Sequence, residues 1–107
     1  MAVTGTEEGR VLTLAITGEI DHHQAGALMQ ELDRRLDGCM PRQLTVDLSG
    51  VTFMDSSGIA VLLRLYRRLR TLDGTICIRN VPDQAAKVLN AAGLDKLMKF
   101  EAPPQAL

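Results

Sequence analysis

At 107 residues and a formal net charge of -1, the chain has length for one domain with a single core, and it lacks the basic excess that draws proteins to nucleic acid or anionic membranes. Its two cysteines are too few for a disulfide framework and suit a reducing compartment: Cys77 lies in the apolar run Ile76-Cys77-Ile78, and Cys39 falls in a loop beside Met40-Pro41. No charged-then-apolar leader opens the chain and no apolar run is long enough to span a bilayer, so a soluble, cytoplasmic monomer is expected.

Ala2 to Glu8 is short, polar and glycine-containing, which fits an edge strand or an arm. From Arg10 to Thr17 the apolar residues Leu12, Leu14 and Ile16 alternate with Val11, Thr13 and Ala15, predicting a strand that Gly18 ends. Asp21-His22-His23-Gln24 then reads as a capping box, with Asp21 as N-cap and Gln24 at the third helical position. The helix it opens carries Ala25, Leu28, Met29, Leu32 and Leu36 at helical spacing, and Asp37-Gly38 with Pro41 is expected to close it. Gln43 to Leu48 predicts a second strand.

Next comes Val51-Thr52-Phe53-Met54-Asp55-Ser56-Ser57-Gly58-Ile59, a strand-to-helix turn followed by apolar residues at helical spacing through Leu72. Ser56 is the natural N-cap of a helix over Ser57 to Leu72, because a serine oxygen accepts from the unpaired N–H groups of a first turn. Ser57, one residue inside, is the weaker candidate for modification, and Gly58 permits another surface to come close. A phosphate at Ser56 is expected to find free N–H groups and a favourable helix dipole, with the carboxylate of Asp55 as its unfavourable neighbour.

Asp73-Gly74 predicts a turn and Thr75 to Arg79 a strand. Pro82-Asp83 opens a third helix with Ala85, Ala86, Val88, Leu89 and Ala92 on its apolar side. Gly93 stops it, Leu94 to Met98 fits one more short helix, and Pro103-Pro104 marks a loose tail. Strands alternating with helices predict parallel pairing. The polar residues Thr13, Thr17, Thr45, Asp47, Thr75 and Arg79 fall at every second position, so one sheet face should be wet and the helices should cover mainly the other.

The stretch Gly18-Glu19-Ile20-Asp21-His22-His23, the run Phe53-Met54-Asp55-Ser56-Ser57-Gly58, the Gly74 turn and Ala92-Gly93-Leu94 occur in an order that resembles the sulfate-transporter and anti-sigma-antagonist (STAS) family over nearly the whole chain. The resemblance implies a single α/β domain over residues 1–107, with a mixed four- or five-stranded sheet and helices packed against one face. It implies an anti-anti-sigma factor rather than an enzyme. Such a protein binds an anti-sigma factor that is also a serine kinase, frees the sigma factor, and is switched off when that kinase phosphorylates the first serine after the aspartate, here Ser56. A separate serine phosphatase would reactivate it. By position, Asp21, Asp55, Ser56, Ser57 and Gly58 form the face that meets the kinase. His22-His23 and Phe53-Met54 resemble the sporulation branch, while a general-stress or sensory-complex pathway is the competing assignment.

From the residues alone, Ser56 and Asp21 each have a plainer role as helix caps, and Arg64, Arg67 and Arg68 read as a solvated helix side. His22 and His23 are adjacent on a helix and point about 100° apart, and the three or four convergent ligands of a metal site are missing. Glycine-rich phosphate loops are absent, so no cofactor or nucleotide is expected. A serine hydrolase built on Ser56, one histidine and Asp55 is the rival class, and it lacks the Gly-x-Ser-x-Gly elbow.

Overall fold

The computed structural model describes residues 1–101; the Pro103-Pro104 tail lies outside them. Its elements are β1 (Ala2–Glu8), β2 (Val11–Ile20), α1 (His22–Cys39), β3 (Gln43–Met54), α2 (Ser57–Thr71), β4 (Thr75–Arg79), α3 (Asp83–Ala91), α4 (Leu94–Leu97) and β5 (Lys99–Glu101). The five strands form one sheet in the order β1-β2-β3-β4-β5. β1 runs antiparallel to β2, and β2, β3, β4 and β5 are parallel to one another. The sheet is therefore mixed.

Register explains the core. Leu12 pairs with Leu44 and Leu44 with Ile76; Leu14 pairs with Val46 and Val46 with Ile78. Successive strand residues face opposite ways, so these rows lie on one face. There they bury against Leu28, Leu32 and Leu36 of α1, Val61, Leu62, Leu65 and Leu69 of α2, and Ala85 and Leu89 of α3, in one cluster. On the other face Thr4, Thr6, Thr17, Thr75, Arg79 and Lys99 are exposed. The expected one-sided coverage is what the chain adopts. Thr45 and Cys77 are buried although they belong to the uncovered face, where they share one cross-strand row with Thr13.

Several expected boundaries moved. Gly18 does not end β2: it takes φ +92° at a register shift, and the strand continues as a bulged ladder to Ile20. β3 likewise runs past Leu48 to Met54. A side chain on Gly50 would meet the methyl of Thr17 at 2.6 Å, so the close strand pairing there needs a glycine. α1 passes through Gly38 and takes in Cys39, and Met40 supplies the left-handed turn at φ 49°, with its N–H on the Leu36 carbonyl at 2.7 Å. Cys39 is thus helical. Ala92 is an exposed cap residue rather than part of the buried side of α3. β5 went unforeseen because three residues with one apolar member, Phe100, carry no periodicity to read.

Candidate functional site

β2 and β3 end side by side, with Ile20 opposite Met54 and the Asp55 N–H on the Ile20 carbonyl at 3.1 Å. Because the strands are parallel, α1 and α2 both begin at this edge. Ligands of open α/β sheets gather at such strand ends.

Asp21 caps α1 as expected: its backbone is extended and its Oδ1 accepts the Gln24 N–H at 3.0 Å. At α2 the capping role has shifted by one residue. Ser56 has a helical backbone, φ -62° and ψ -14°, and makes no side-chain cap bond. In that conformation its hydroxyl does not reach back over the first turn, since capping side chains act from an extended residue. Asp55 does the work instead, its Oδ1 accepting the Ser57 N–H at 2.7 Å while its Oδ2 accepts the His22 N–H at 3.2 Å. One carboxylate thus ties the first residues of both helices. These N–H bonds, the Ser57 one foremost, hold the Asp55 carboxyl below its ordinary range.

The rest of the first turn is also engaged, with the Gly58 N–H on the Asp55 carbonyl at 3.0 Å and the Ile59 N–H on the Ser56 carbonyl at 3.1 Å. This narrows the expectation of free N–H groups awaiting a phosphate: the Ser57, Gly58 and Ile59 donors are taken, which leaves the Ser56 N–H and the helix dipole to favour one. Ser56 is exposed and Ser57 half-buried. Gly58 is buried, and a Cβ there would lie 2.4 Å from Cγ and Sδ of Met54. The surface that comes close to Gly58 is therefore the protein's own core.

Gln84 was missed in the sequence. From the first turn of α3, its Oε1 accepts the Met54 N–H at 2.8 Å and its Nε2 donates to the Met54 carbonyl at 2.7 Å. The amide stands in for a neighbouring strand just where β3 has outrun β4. No local signal in the sequence marks this, because the partners are 30 residues apart.

The imidazoles of His22 and His23 are exposed and lie together, ring centroids 4.0 Å apart. Among the described residues no cluster of three or more His, Cys, Asp or Glu could hold a metal ion. The carboxylate that a hydrolytic triad would need to orient a histidine ring is bound to main-chain N–H groups. Phe53, beside the turn, exposes 42 % of its surface. No helix among the described residues is long and apolar enough to cross a membrane.

A strand-edge serine held between two co-anchored helices on a one-sided mixed sheet can be compared with known proteins. The STAS domain model matches residues 3–105. The chain belongs to the STAS-domain family. This STAS domain is 28% identical over 88 residues to an anti-sigma F factor antagonist of Paenibacillus polymyxa, covering 82% of this chain and 75% of that protein. It is equally 28% identical, over 94 residues, to an anti-sigma-B factor antagonist of Staphylococcus aureus, covering 87% and 85%. Among solved structures it resembles the anti-sigma factor antagonist SpoIIAA, with a TM-score of 0.78 at 23% identity to the unphosphorylated form, covering 94% of this chain and 88% of that one. Against the phosphorylated form of the Bacillus SpoIIAA the TM-score is 0.69 at 24% identity, covering 94% and 91%. These structural likenesses establish the STAS fold.

Proposed function

We propose that this STAS domain is an anti-anti-sigma factor. It binds an anti-sigma factor that is also a serine kinase, releases the sigma factor, and is switched off by phosphorylation of Ser56. The observation that carries this reading is the exposed Ser56 hydroxyl, which has no capping duty and is displayed where α2 begins. The names of the relatives support the antagonist role. The contact face comprises Asp21, Asp55, Ser56 and Ser57, with Gly58 as the seat beneath them.

Phosphorylation adds about -1.5 to -2 charges where a small neutral hydroxyl stood. With the first-turn donors already engaged by Asp55 and by carbonyls, the phosphate gains few local partners and faces the Asp55 carboxylate. It stays a solvated dianion on the contact surface. Burying it unpaired against a partner costs several kcal/mol, and as each step of about 1.4 kcal/mol is tenfold, a loss on the order of a thousandfold follows without a change of fold. A phosphatase restores the hydroxyl.

The second reading keeps the switch and changes the pathway. It is favoured by the equal identity to the sigma-F and sigma-B antagonists. Incubation with candidate anti-sigma kinases and ATP, with the phosphate located by mass, tests both. Phosphate on Ser56 from one kinase assigns the pathway, and capture of that kinase by wild type and Ser56→Ala but not by Ser56→Asp supports the switch. Equal capture by all three proteins removes it.

A further inference from the structure

Starting about one turn beyond Ser56, α1 and α2 leave a groove of about 470 Å³ lined by Met29, Ala60, Arg64, Arg67, Arg68 and Thr71. We propose that this groove seats an acidic amphipathic helix of the anti-sigma kinase, with apolar side chains on Met29 and Ala60 and a carboxylate on Arg67. The inference rests on the proposed function and extends it, by naming the chemistry of the partner's segment and the path it takes.

Three observations carry it. Arg64 and Arg68 are already committed within the fold: Arg64 pairs with Asp33 at 2.6 Å, and Arg68 pairs with Asp33 at 3.2 Å and Asp37 at 2.6 Å. These bonds tie α1 to α2 and hold the groove open with its walls in place. Arg67 is exposed and has no ion pair among the described residues. Three arginines line the groove, α2 has no acidic residue over Ser57–Thr71, and the two α1 carboxylates balance Arg64 and Arg68 and leave the charge of Arg67. The groove wall therefore remains positive and suits an acidic visitor.

Position supplies the second link. Ser56, Ala60 and Arg67 are separated by four and seven residues, so they return to one side of α2 after about one and three turns. At about 1.5 Å per residue they span roughly 16 Å, a length that one partner helix covers. An apolar floor with charged edges is what an amphipathic helix lies on.

The third link is the sign of the switch. A dianion at Ser56 sits about one turn, roughly 6 Å along the axis, before Ala60, the first α2 residue lining a groove whose visitor is itself acidic, and the near end of that helix falls within a Debye length of about 8 Å. Phosphorylation then repels the segment as well as blocking the tip. A basic visitor would be attracted by the same modification.

The test uses the full chain and the serine kinase that wild type captures, with affinity measured at low and high salt. Arg67→Glu should weaken binding by about tenfold or more and flatten the salt dependence, and Arg67→Gln by about threefold. Ala60→Arg, which fills the floor, should also weaken it, whereas Thr4→Glu on the uncovered sheet face should not. Urea unfolding of each variant at its wild-type midpoint separates lost contact from lost fold. Wild-type affinity in Arg67→Glu and Ala60→Arg, with binding still abolished in Ser56→Asp, overturns the groove and leaves the switch standing. Absence of any capture by the unmodified chain overturns both.

Discussion

Asp55 and His22, 33 positions apart, are joined by the Asp55 carboxylate accepting the His22 main-chain N–H at 3.2 Å. The same carboxylate accepts from Ser57 at 2.7 Å, so the starts of α1 and α2 are held by one side chain. Exposed Ser56 beside it is therefore free of structural duty.

This division of labour separates the two residues experimentally. Ser56→Ala should change the unfolding free energy by less than about 0.5 kcal/mol, the range of ordinary surface substitutions, rather than the roughly 1 kcal/mol of a lost cap. Asp55→Ala should lower the urea midpoint clearly, and Asp55→Asn should lower it less because an amide oxygen still accepts one N–H. Equal destabilisation by Ser56→Ala and Asp55→Ala would return the capping role to the serine.

Gly58→Ala tests the seat under the turn. Alanine favours a helix interior by about 1 kcal/mol over glycine, but its methyl would lie 2.4 Å from atoms of the fully buried Met54. Overpacking of this kind costs about 1–3 kcal/mol, so the net effect should be destabilising by roughly 1 kcal/mol on the same two scales. Urea unfolding measures it, and a gain in stability would mean that Met54 yields freely.

Gln84→Ala should leave the Met54 N–H and carbonyl without their side-chain partner. A loss of about 1–2 kcal/mol is expected for the pair, with faster hydrogen exchange at the Met54 amide. Unchanged exchange there would show that water replaces the amide at no cost.

Acid should expose the ion pairs that join the helices. Arg64 donates to Asp33 and holds its carboxyl below the ordinary 3.8, with Arg68 adding to the effect. A depressed folded value means that the unfolded chain binds the proton more readily, so the contribution is complete above 3.8 and disappears as pH falls through the lower, folded value. The urea midpoint should be flat from neutral pH to about 5 and drop below about 4, the ordinary carboxylate range. Asp33→Asn should start lower at neutral pH and lose less on acidification. Much of this surface pairing is screened by solvent, so added salt should shrink the difference. An identical acid limb in both proteins would remove Asp33 from the account.

Periodicity alone determined the alternation of strands and helices, the cap at Asp21, the span of β4 and the wet face of the sheet, because each follows from spacing between near neighbours. It placed a strand-to-helix turn at Asp55 and Ser56, and the family resemblance made that the turn to watch. The tertiary structure decided which of the two caps α2, since that depends on the backbone angle at Ser56 and on a second helix arriving at Asp55 from 33 residues away. It likewise decided that Gly58 faces Met54, that Gln84 completes β3, and that Lys99–Glu101 joins β4 as a strand. Those outcomes are contacts between distant segments, and their energies come from hydrogen bonds and packing that exist only once the sheet has brought the segments together.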